Sequence, residues 1–228
     1  MVRGRPLMFP VYLKDEGFEP PDDPIYYLVT ADGLFQVKEN SVFRSCVRVR
    51  GIRGLQGQKN EMRWKLPPVP GALLQRVVGL FREVYRRYGS EAIVLLVYEL
   101  ATQKYGVVVP EQHVTGGHLT YAPGEVPAGQ VRVGTIHSHA EADAFHSPLD
   151  DWDEEHDDGL HVTVGNLDGT VSLSCSVVVD SCRFPLRPRD IFQRAPLDAP
   201  EEVWFEALTH IHAEPPPRDS LEGKPSAI

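Results

Sequence analysis

The stretch Thr135-Ile-His-Ser-His-Ala-Glu-Ala-Asp-Ala-Phe-His-Ser-Pro-Leu-Asp150 is the most informative part of this 228-residue chain. The apolar residues 131–136 at its start predict a β-strand. His137 and His139 are two residues apart at the end of this strand, so in an extended chain their side chains point to the same side. Two imidazoles on one side can chelate a metal ion, and Asp150 can return as a third ligand. Two histidines, one carboxylate and an open position are typical of a catalytic zinc site.

Outward from this stretch, the hydrophobic pattern predicts alternating helices and strands. Apolar residues recur at helical spacing over 72–88, which predicts an amphipathic helix. The continuous apolar run 92–98, rich in β-branched residues, predicts a strand that is buried on both faces. The remaining pattern predicts a β-hairpin over 25–37, strands at 45–50, 106–110, 161–164 and 171–179, a connection over 51–70, and short helices within 184–195 and 201–212.

The spacing of four residues after the predicted strand carries a family resemblance. Ser147 lies eight residues after His139 and Asp150 eleven, which gives the pattern H-S-H-x7-S-x-x-D. This pattern resembles the JAMM motif of the JAB/MPN metalloprotease family. Members of that family carry a catalytic glutamate after an amphipathic helix, at the start of a central strand, and Glu91 occupies this place. The resemblance covers about residues 71–180.

The resemblance implies a fold, a metal and a role for each motif residue. It implies an α/β fold of the MPN/JAB (cytidine-deaminase-like) type, with a mixed sheet flanked by helices, in a domain over 71–190. Residues 1–70 would form a β-rich extension, and 191–228 a C-terminal segment that ends in a disordered tail. The resemblance further implies that Zn²⁺ is held by His137, His139 and Asp150, that Glu91 is the general base, and that Ser147 stabilises the oxyanion.

The activity that the resemblance implies is that of a cytoplasmic zinc isopeptidase or peptidase. Such an enzyme cleaves after the C-terminal glycine of ubiquitin-like proteins or their conjugates. The resemblance also implies a place in a bacterial ubiquitin-like conjugation system, such as those used in antiphage defence. Two alternatives stay open: a non-catalytic MPN scaffold that binds a partner, and a protease that matures a ubiquitin-like or sulfur-carrier precursor.

Two residues near the motif raise further assignments. Glu99 is a rival for the general base, but it lies eight residues from Glu91, or roughly 26 Å at the rise of a strand. Both carboxylates therefore cannot reach one metal, and the position after the helix favours Glu91. Ser138, between the two histidines, points away from them and is expected to be a packing or supporting group.

Three more histidines leave alternatives open. His146, next to the motif serine, is an ordinary loop residue, a substrate contact or an extra ligand. His156 and His161 form a second metal site with Asp151 or Asp153, or else lie in a solvated acidic loop.

The three cysteines do not form a disulfide framework, and no CxxC pair is present. Cys175 lies in an alternating strand and is expected in the core. Cys46 and Cys182 have no histidine partner at cysteine-hydrolase spacing, so we assign them no chemistry. This usage is typical of a reducing cytoplasm.

The charge of the chain is concentrated in one window. Lys and Arg number 23 against 32 Asp and Glu, and the stretch from Val133 to Cys182 holds no Lys or Arg but eleven carboxylates. The acidic balance argues against nucleic acid as a partner, and no apolar run reaches the roughly 20 residues that span a membrane. The run 151–158 is expected to form an exposed acidic rim that attracts a basic substrate surface, so that neutralising Asp153, Glu154 and Glu155 would raise KM and leave zinc bound.

Overall fold

The computed structural model describes residues 9–116, 118–122, 124–147, 150, 152, 154–198 and 204–213. These residues form a mixed α/β structure with three sheets and few helices. The chain divides into two compact units, Met1–Asn60 and Glu61–Ile228. The boundary lies within the connection predicted for residues 51–70. The disordered tail was predicted from Ala213 onwards, but Ala213 belongs to a strand, and the rest of the predicted tail lies outside the described residues.

The first unit is a four-stranded sheet in the order β1-β2-β3-β4. Its strands are β1 (Val11–Leu13), β2 (Ile25–Thr30), β3 (Gly33–Glu39) and β4 (Arg44–Arg48). The predicted hairpin is confirmed, because β2 and β3 pair antiparallel across a turn at Ala31 and Asp32. Tyr26, Leu28 and Val37 form the small core of this unit.

The second unit is built on one long helix and a six-stranded sheet. The helix is α1 (Gly71–Tyr88), and the sheet has the order β12-β11-β10-β9-β5-β6. Its strands are β5 (Ile93–Glu99), β6 (Lys104–Val108), β9 (Gln130–Ser138), β10 (Gly159–Gly165), β11 (Ser172–Val179) and β12 (Cys182–Leu186). Only the β9–β10 pair is parallel, so the sheet is mixed.

A smaller three-stranded sheet and two short helices also belong to the second unit. The strands β7 (Gln112–Thr115), β8 (His118–Tyr121) and β13 (Ile211–Ala213) have the order β13-β7-β8. A short helix α2 (Pro188–Ile191) follows β12, and a 3-10 helix (Phe205–His210) precedes β13. None of the described helices is long and apolar enough to span a membrane.

The predicted amphipathic helix is confirmed as α1. Leu74, Val77 and Phe81 lie on its buried face at helical spacing. The helix ends at Gly89, which adopts the left-handed conformation (φ 58°) and donates its N–H to the Tyr85 carbonyl. A glycine takes this conformation without a steric penalty, and the hydrogen bond satisfies one terminal carbonyl.

The predicted central strand is confirmed as β5, which is buried on both faces. Val94 and Ile136 are direct partners across β5 and β9, and both belong to the core that contains α1. The neighbouring pair, Ile93 and His137, must face the opposite side of the sheet because successive side chains alternate. The predicted metal ligands therefore lie on the face of the sheet opposite α1.

Five strands were not predicted, namely β1, β7, β8, β12 and β13, and β1 and β13 have only three residues each. The strands β7 and β8 have only four residues each, and Gln112 and His113 give β7 a polar start. The strand β12 contains Pro185, which is tolerated because β12 is an edge strand. The short helix expected within 184–195 is α2, but it begins only after β12 has ended.

Candidate metal centre

The two motif histidines lie where β9 ends, between two neighbouring strands. His137 is paired with Ile93 of β5 on one side and with Thr163 of β10 on the other. The N–H of His139 donates to the carbonyl of Val164, which extends the β9–β10 ladder past the end of β9. Both histidines are buried, with 6% and 7% of their surface exposed. Their backbone is therefore fixed by strand pairing, and their side chains share one face.

The nitrogens of the two histidines converge with the Asp150 carboxylate. His137 Nε2 lies 3.3 Å from His139 Nε2 and 3.5 Å from Asp150 Oδ1. His139 Nε2 lies 3.2 Å from Asp150 Oδ2. Among the described residues, this is the one group of three His, Cys, Asp or Glu side chains whose ligand atoms all lie within 4.8 Å of one another. The group could hold a metal ion.

The separation of the two imidazole nitrogens matches the edge of a tetrahedron around a small cation, and each nitrogen has an Asp150 oxygen at a similar distance. A zinc ion bound at about 2.0–2.1 Å to each atom requires ligand atoms about 3.3–3.4 Å apart. Burial lowers the pKa of His137 to about 4, although the nearby carboxylates oppose this change. His137 is therefore neutral near pH 7 and has a lone pair to offer. The donor set of two imidazoles and one carboxylate is one that zinc accepts.

Asp150 is held in place by a reciprocal pair of hydrogen bonds with Ser147. The Ser147 N–H donates to Asp150 Oδ2 over 2.7 Å, and the Asp150 N–H donates to Ser147 Oγ over 3.1 Å. Asp150 is helical, so the pair has the form of a capping box, in which the first residue caps the helix and the fourth reaches back. The S-x-x-D half of the motif thus fixes the start of a helix and holds the Asp150 carboxylate next to the two histidines.

The loop between His139 and Ser147 is anchored on the end of β10. The N–H of Ala142 donates to the His139 carbonyl, and the N–H of Asn166 donates to the Ala142 carbonyl. A side chain at Gly165 would place its Cβ 2.3 Å from the Ala144 nitrogen, so the loop requires glycine there. Sequence reasoning did not find this anchor, because nothing local to Gly165 indicates that a loop packs against it.

Glu91 lies between α1 and β5, near His139 and Asp150. The register pairs Ile93 with His137, and continuing it by two residues places Glu91 opposite His139. Burial raises the pKa of Glu91 to about 7; His139 opposes this rise and Asp150 adds to it. A carboxyl group with this pKa can take up and release a proton near neutral pH.

The rival glutamate lies at the other end of β5. Glu99 is paired with Gln130 at the start of β9 and accepts a hydrogen bond from the Thr102 hydroxyl. Ser138 is fully buried, and its Oγ accepts a hydrogen bond from the Ala92 N–H, while its own N–H donates to the Ala92 carbonyl. The expected packing or supporting role of Ser138 is confirmed, since it joins the ligand strand to the strand that follows Glu91.

The acidic window is less exposed than predicted. Glu154 is only 7% exposed and bonds Arg183 over 2.7 Å, while Asp157 pairs with Arg132. These two arginines lie at the two ends of the window, so they offset part of its charge. The predicted exposed rim is therefore wrong at Glu154, because a charge this deeply buried requires a partner.

Four described residues of the run 151–158 are exposed, namely Trp152, Glu155, His156 and Asp158. Asp151 and Asp153 lie outside the described residues. Neutralising Asp153, Glu154 and Glu155 together would also remove a carboxylate that is bonded to Arg183. The effect of this combined substitution on KM therefore does not test the exposed rim alone.

The second metal site proposed around His161 has no support from the position of that residue. His161 is fully buried, and its Nε2 lies 2.7 Å from the Asp157 carbonyl while its Nδ1 lies 2.9 Å from Thr135 Oγ1. Both nitrogens are thus engaged within the protein. His146 also lies in this interior network, 3.2 Å from Ser176 Oγ and 3.7 Å from Glu154. Its ring is not a member of the three-residue group.

All three cysteines are free thiols. Cys175 is buried, as expected for a core residue, and burial raises its pKa to about 12. Such a thiol is not ionised at neutral pH and is a poor nucleophile.

Fold and site together define a mixed α/β protein with a candidate metal centre at the end of the inner strands of its largest sheet, near a partly buried glutamate of raised pKa. No family model matches the chain, and no curated protein matches its sequence.

Proposed function

We propose that this protein is a zinc-dependent hydrolase of the JAB/MPN type. The observation that carries the proposal is the convergence of His137, His139 and Asp150, with mutual distances of 3.2–3.5 Å, next to Glu91. The motif spacing supports the family, and the mixed sheet agrees with it. The proposed substrates are ubiquitin-like proteins, cleaved after their C-terminal glycine in the cytoplasm.

In this proposal the metal is held by His137, His139 and Asp150. Bound there, Zn²⁺ would supply a Lewis acid and lower the pKa of a water in the open fourth position. The neutral imidazole of His137 needs no deprotonation at pH 7 to bind, since its pKa is about 4.

Glu91 moves the proton in the proposed reaction. Its partly buried carboxylate has a pKa near 7, which suits it to take a proton from the attacking water and to return it to the leaving amine. Proton transfer by a positioned carboxylate typically contributes about 10²–10⁴ in rate.

Ser147 holds the negative charge that develops on the substrate carbonyl. Its Oγ accepts a hydrogen bond from the Asp150 N–H, so its own hydroxyl proton remains to be donated. The hydroxyl also hydrogen-bonds the Asp150 carboxylate and helps to lower the pKa of that group, so in this proposal it exchanges that acceptor for the oxyanion. A hydroxyl that is fixed by a helix cap is a pre-organised donor for an oxyanion.

The test is a comparison of the wild type with Glu91→Gln and Glu99→Gln. The full chain is purified, its zinc content is measured, and hydrolysis is followed with ubiquitin joined to lysine through its C-terminal glycine and with a linear ubiquitin fusion. We expect one zinc per chain in all three proteins, and a kcat about 10²–10⁴ lower for Glu91→Gln alone. Glu99→Gln is the matched control, because it removes a carboxylate from the other end of the same strand.

Each contrary outcome points to a different reading. A wild type that binds no zinc and cleaves neither substrate is a scaffold, not an enzyme. Cleavage of the linear fusion alone indicates a precursor protease. An active Glu91→Gln variant shows that the general base is another group.

A further inference from the structure

The segment around Glu91 is held by buried polar side chains on three sides. Ser90, Gln112 and Ser138 are 1%, 0% and 0% exposed. Burying a hydroxyl or an amide is costly unless its hydrogen bonds are made inside the protein. Each of these side chains makes its bonds to backbone groups, and two of them bond residues directly after Glu91. The segment is therefore fixed more firmly than strand pairing alone would fix it.

Gln112 replaces a missing strand at the beginning of β5. The partner strand β6 pairs with β5 only from Leu95 onwards, and the chain then reaches Pro110, which has no N–H to donate. The backbone groups of Ile93 on this edge would otherwise be buried without partners. The Gln112 side chain supplies both, since its Oε1 accepts from the Ile93 N–H and its Nε2 donates to the Ile93 carbonyl, each over 2.9 Å. A neutral amide group offers both a donor and an acceptor from one side chain.

The hairpin that carries Gln112 also holds the other end of the segment. The Ser90 hydroxyl donates to the Gly116 carbonyl over 2.6 Å, and Gly116 directly follows β7. Between these two anchors, Ala92 is bonded to Ser138 of the ligand strand. Glu91 thus lies between Ser90, which hydrogen-bonds Gly116, and Ala92 and Ile93, which hydrogen-bond the side chains of Ser138 and Gln112.

We propose that Gln112 is a positioning residue that holds Glu91 at the correct distance from the metal ligands. The inference rests on the proposed function, because it assigns Gln112 a role in the step that Glu91 performs. Gln112 does not act on substrate itself. It acts by closing the free edge of β5, two residues from Glu91, and thereby fixing the backbone that carries the carboxylate. A shift of about 1 Å in such a group can lower a rate by about 10²-fold.

The test is the kinetics of Gln112→Leu, which keeps the size of the side chain and removes both hydrogen bonds. We expect kcat to fall about 10–100-fold while KM and zinc content stay at the wild-type values. In a Glu91→Gln background the same substitution should cause no further loss, because the positioned group has already been removed. A purely structural role would lower activity by the same factor in both backgrounds.

Val114→Ala is the matched control for stability. Val114 is a buried core residue of the same strand β7, and its truncation leaves the bonds to Ile93 in place. We expect this variant to be destabilised with an unchanged kcat at a temperature where it is folded. If Gln112→Leu does not fold, Ser90→Ala carries the test, with a smaller fall in kcat expected.

The outcomes separate this inference from the proposed function. The role of Gln112 alone is overturned if the wild type is active, Glu91→Gln is inactive, and the folded Gln112→Leu variant keeps the wild-type kcat. Where Ser90→Ala carries the test, an unchanged kcat in that variant has the same meaning. Equal losses from Gln112→Leu with and without Glu91 also overturn it. A wild type without hydrolytic activity overturns the proposed function and this inference with it.

Discussion

Two clusters of histidine and carboxylate side chains in the second unit differ in their burial and in the distances between their ligand atoms. In the candidate metal centre, His137, His139 and Asp150 are largely buried, and their ligand atoms lie within 4.8 Å of one another. In the exposed cluster, Glu111 bonds His210 over 2.5 Å and His212 over 2.6 Å, but these three side chains do not form such a group. The side chains of that cluster are 44–59% exposed. The same residue types are therefore convergent in one place and divergent in the other.

This difference between the buried and the exposed cluster shows which physical properties distinguish a candidate metal site from an ordinary group of His and Glu side chains. The exposed carboxylate has its charge satisfied by the two histidines, whose hydrogen bonds lower the pKa of Glu111. In the buried group, two imidazole nitrogens face each other at 3.3 Å. A cation between them would satisfy both lone pairs and offset the carboxylate charge. Burial and convergence together, rather than composition, distinguish the candidate centre.

Removing a ligand from the buried group should have the largest effect. Asp150→Ala and His139→Ala are expected to weaken zinc binding at least about 1,000-fold, or about 4 kcal/mol, because a three-ligand site loses one bond to the metal. His212→Ala, from the exposed cluster, is the matched control and should keep the wild-type affinity. Calorimetry or competition with a chelator measures both. Equal weakening by His212→Ala would remove the distinction between the two clusters.

The capping box should have the next largest effect, since the exposed cluster has no counterpart to it among the described residues. Ser147→Ala is expected to lower kcat about 10²–10³-fold at saturating zinc, because the oxyanion loses its donor. It should also cost about 1 kcal/mol of stability through the lost helix cap. Ser147→Thr keeps the hydroxyl and should restore most of both properties. If the kcat of Ser147→Ala stays within twofold of the wild-type value, Ser147 does not stabilise the oxyanion and only caps the helix.

The pH dependence of metal binding should be the smallest of the three effects. Burial opposes the charge on His139, but Asp150 and Glu91 outweigh burial, so its pKa lies above the ordinary value of 6.5. Zinc must displace this proton, so the affinity should be steady well above that pKa and fall about tenfold per pH unit below it. His137, with a pKa of about 4, adds no further dependence above pH 5.

Competition experiments between pH 8 and pH 5.5 measure this dependence. The His212→Ala variant should follow the wild-type curve, because the exposed cluster takes no part in metal binding. An affinity that does not change over this range would mean that His139 is not a ligand.

The local elements could be predicted because their signals lie within a few residues. The 3.6-residue spacing of Leu74, Val77 and Phe81 predicted α1, and the apolar run predicted β5. The i and i+2 spacing of His137 and His139 placed both on one face of β9, and the capping pattern from Ser147 to Asp150 is equally short-range. Periodicity and capping act over one or two turns, so they can be read without the rest of the chain.

The contacts that complete the site depend on residues far apart in the chain. Sequence reasoning missed Gln112, whose pattern in β7 is merely polar, because nothing local indicates that it bonds Ile93. It misjudged Glu154, because an acidic run gives no sign that Arg183 covers one of its members. Such contacts arise only when separate strands are packed into one sheet.

The sequence by itself thus determined the chemical groups of the candidate centre and the faces on which they lie. Only the tertiary structure brought Asp150 to within 3.5 Å of both histidines, set Glu91 opposite His139, and buried Glu154 against an arginine. The physical reason is that side-chain direction follows from local backbone geometry, whereas distance and desolvation follow from strand register and packing.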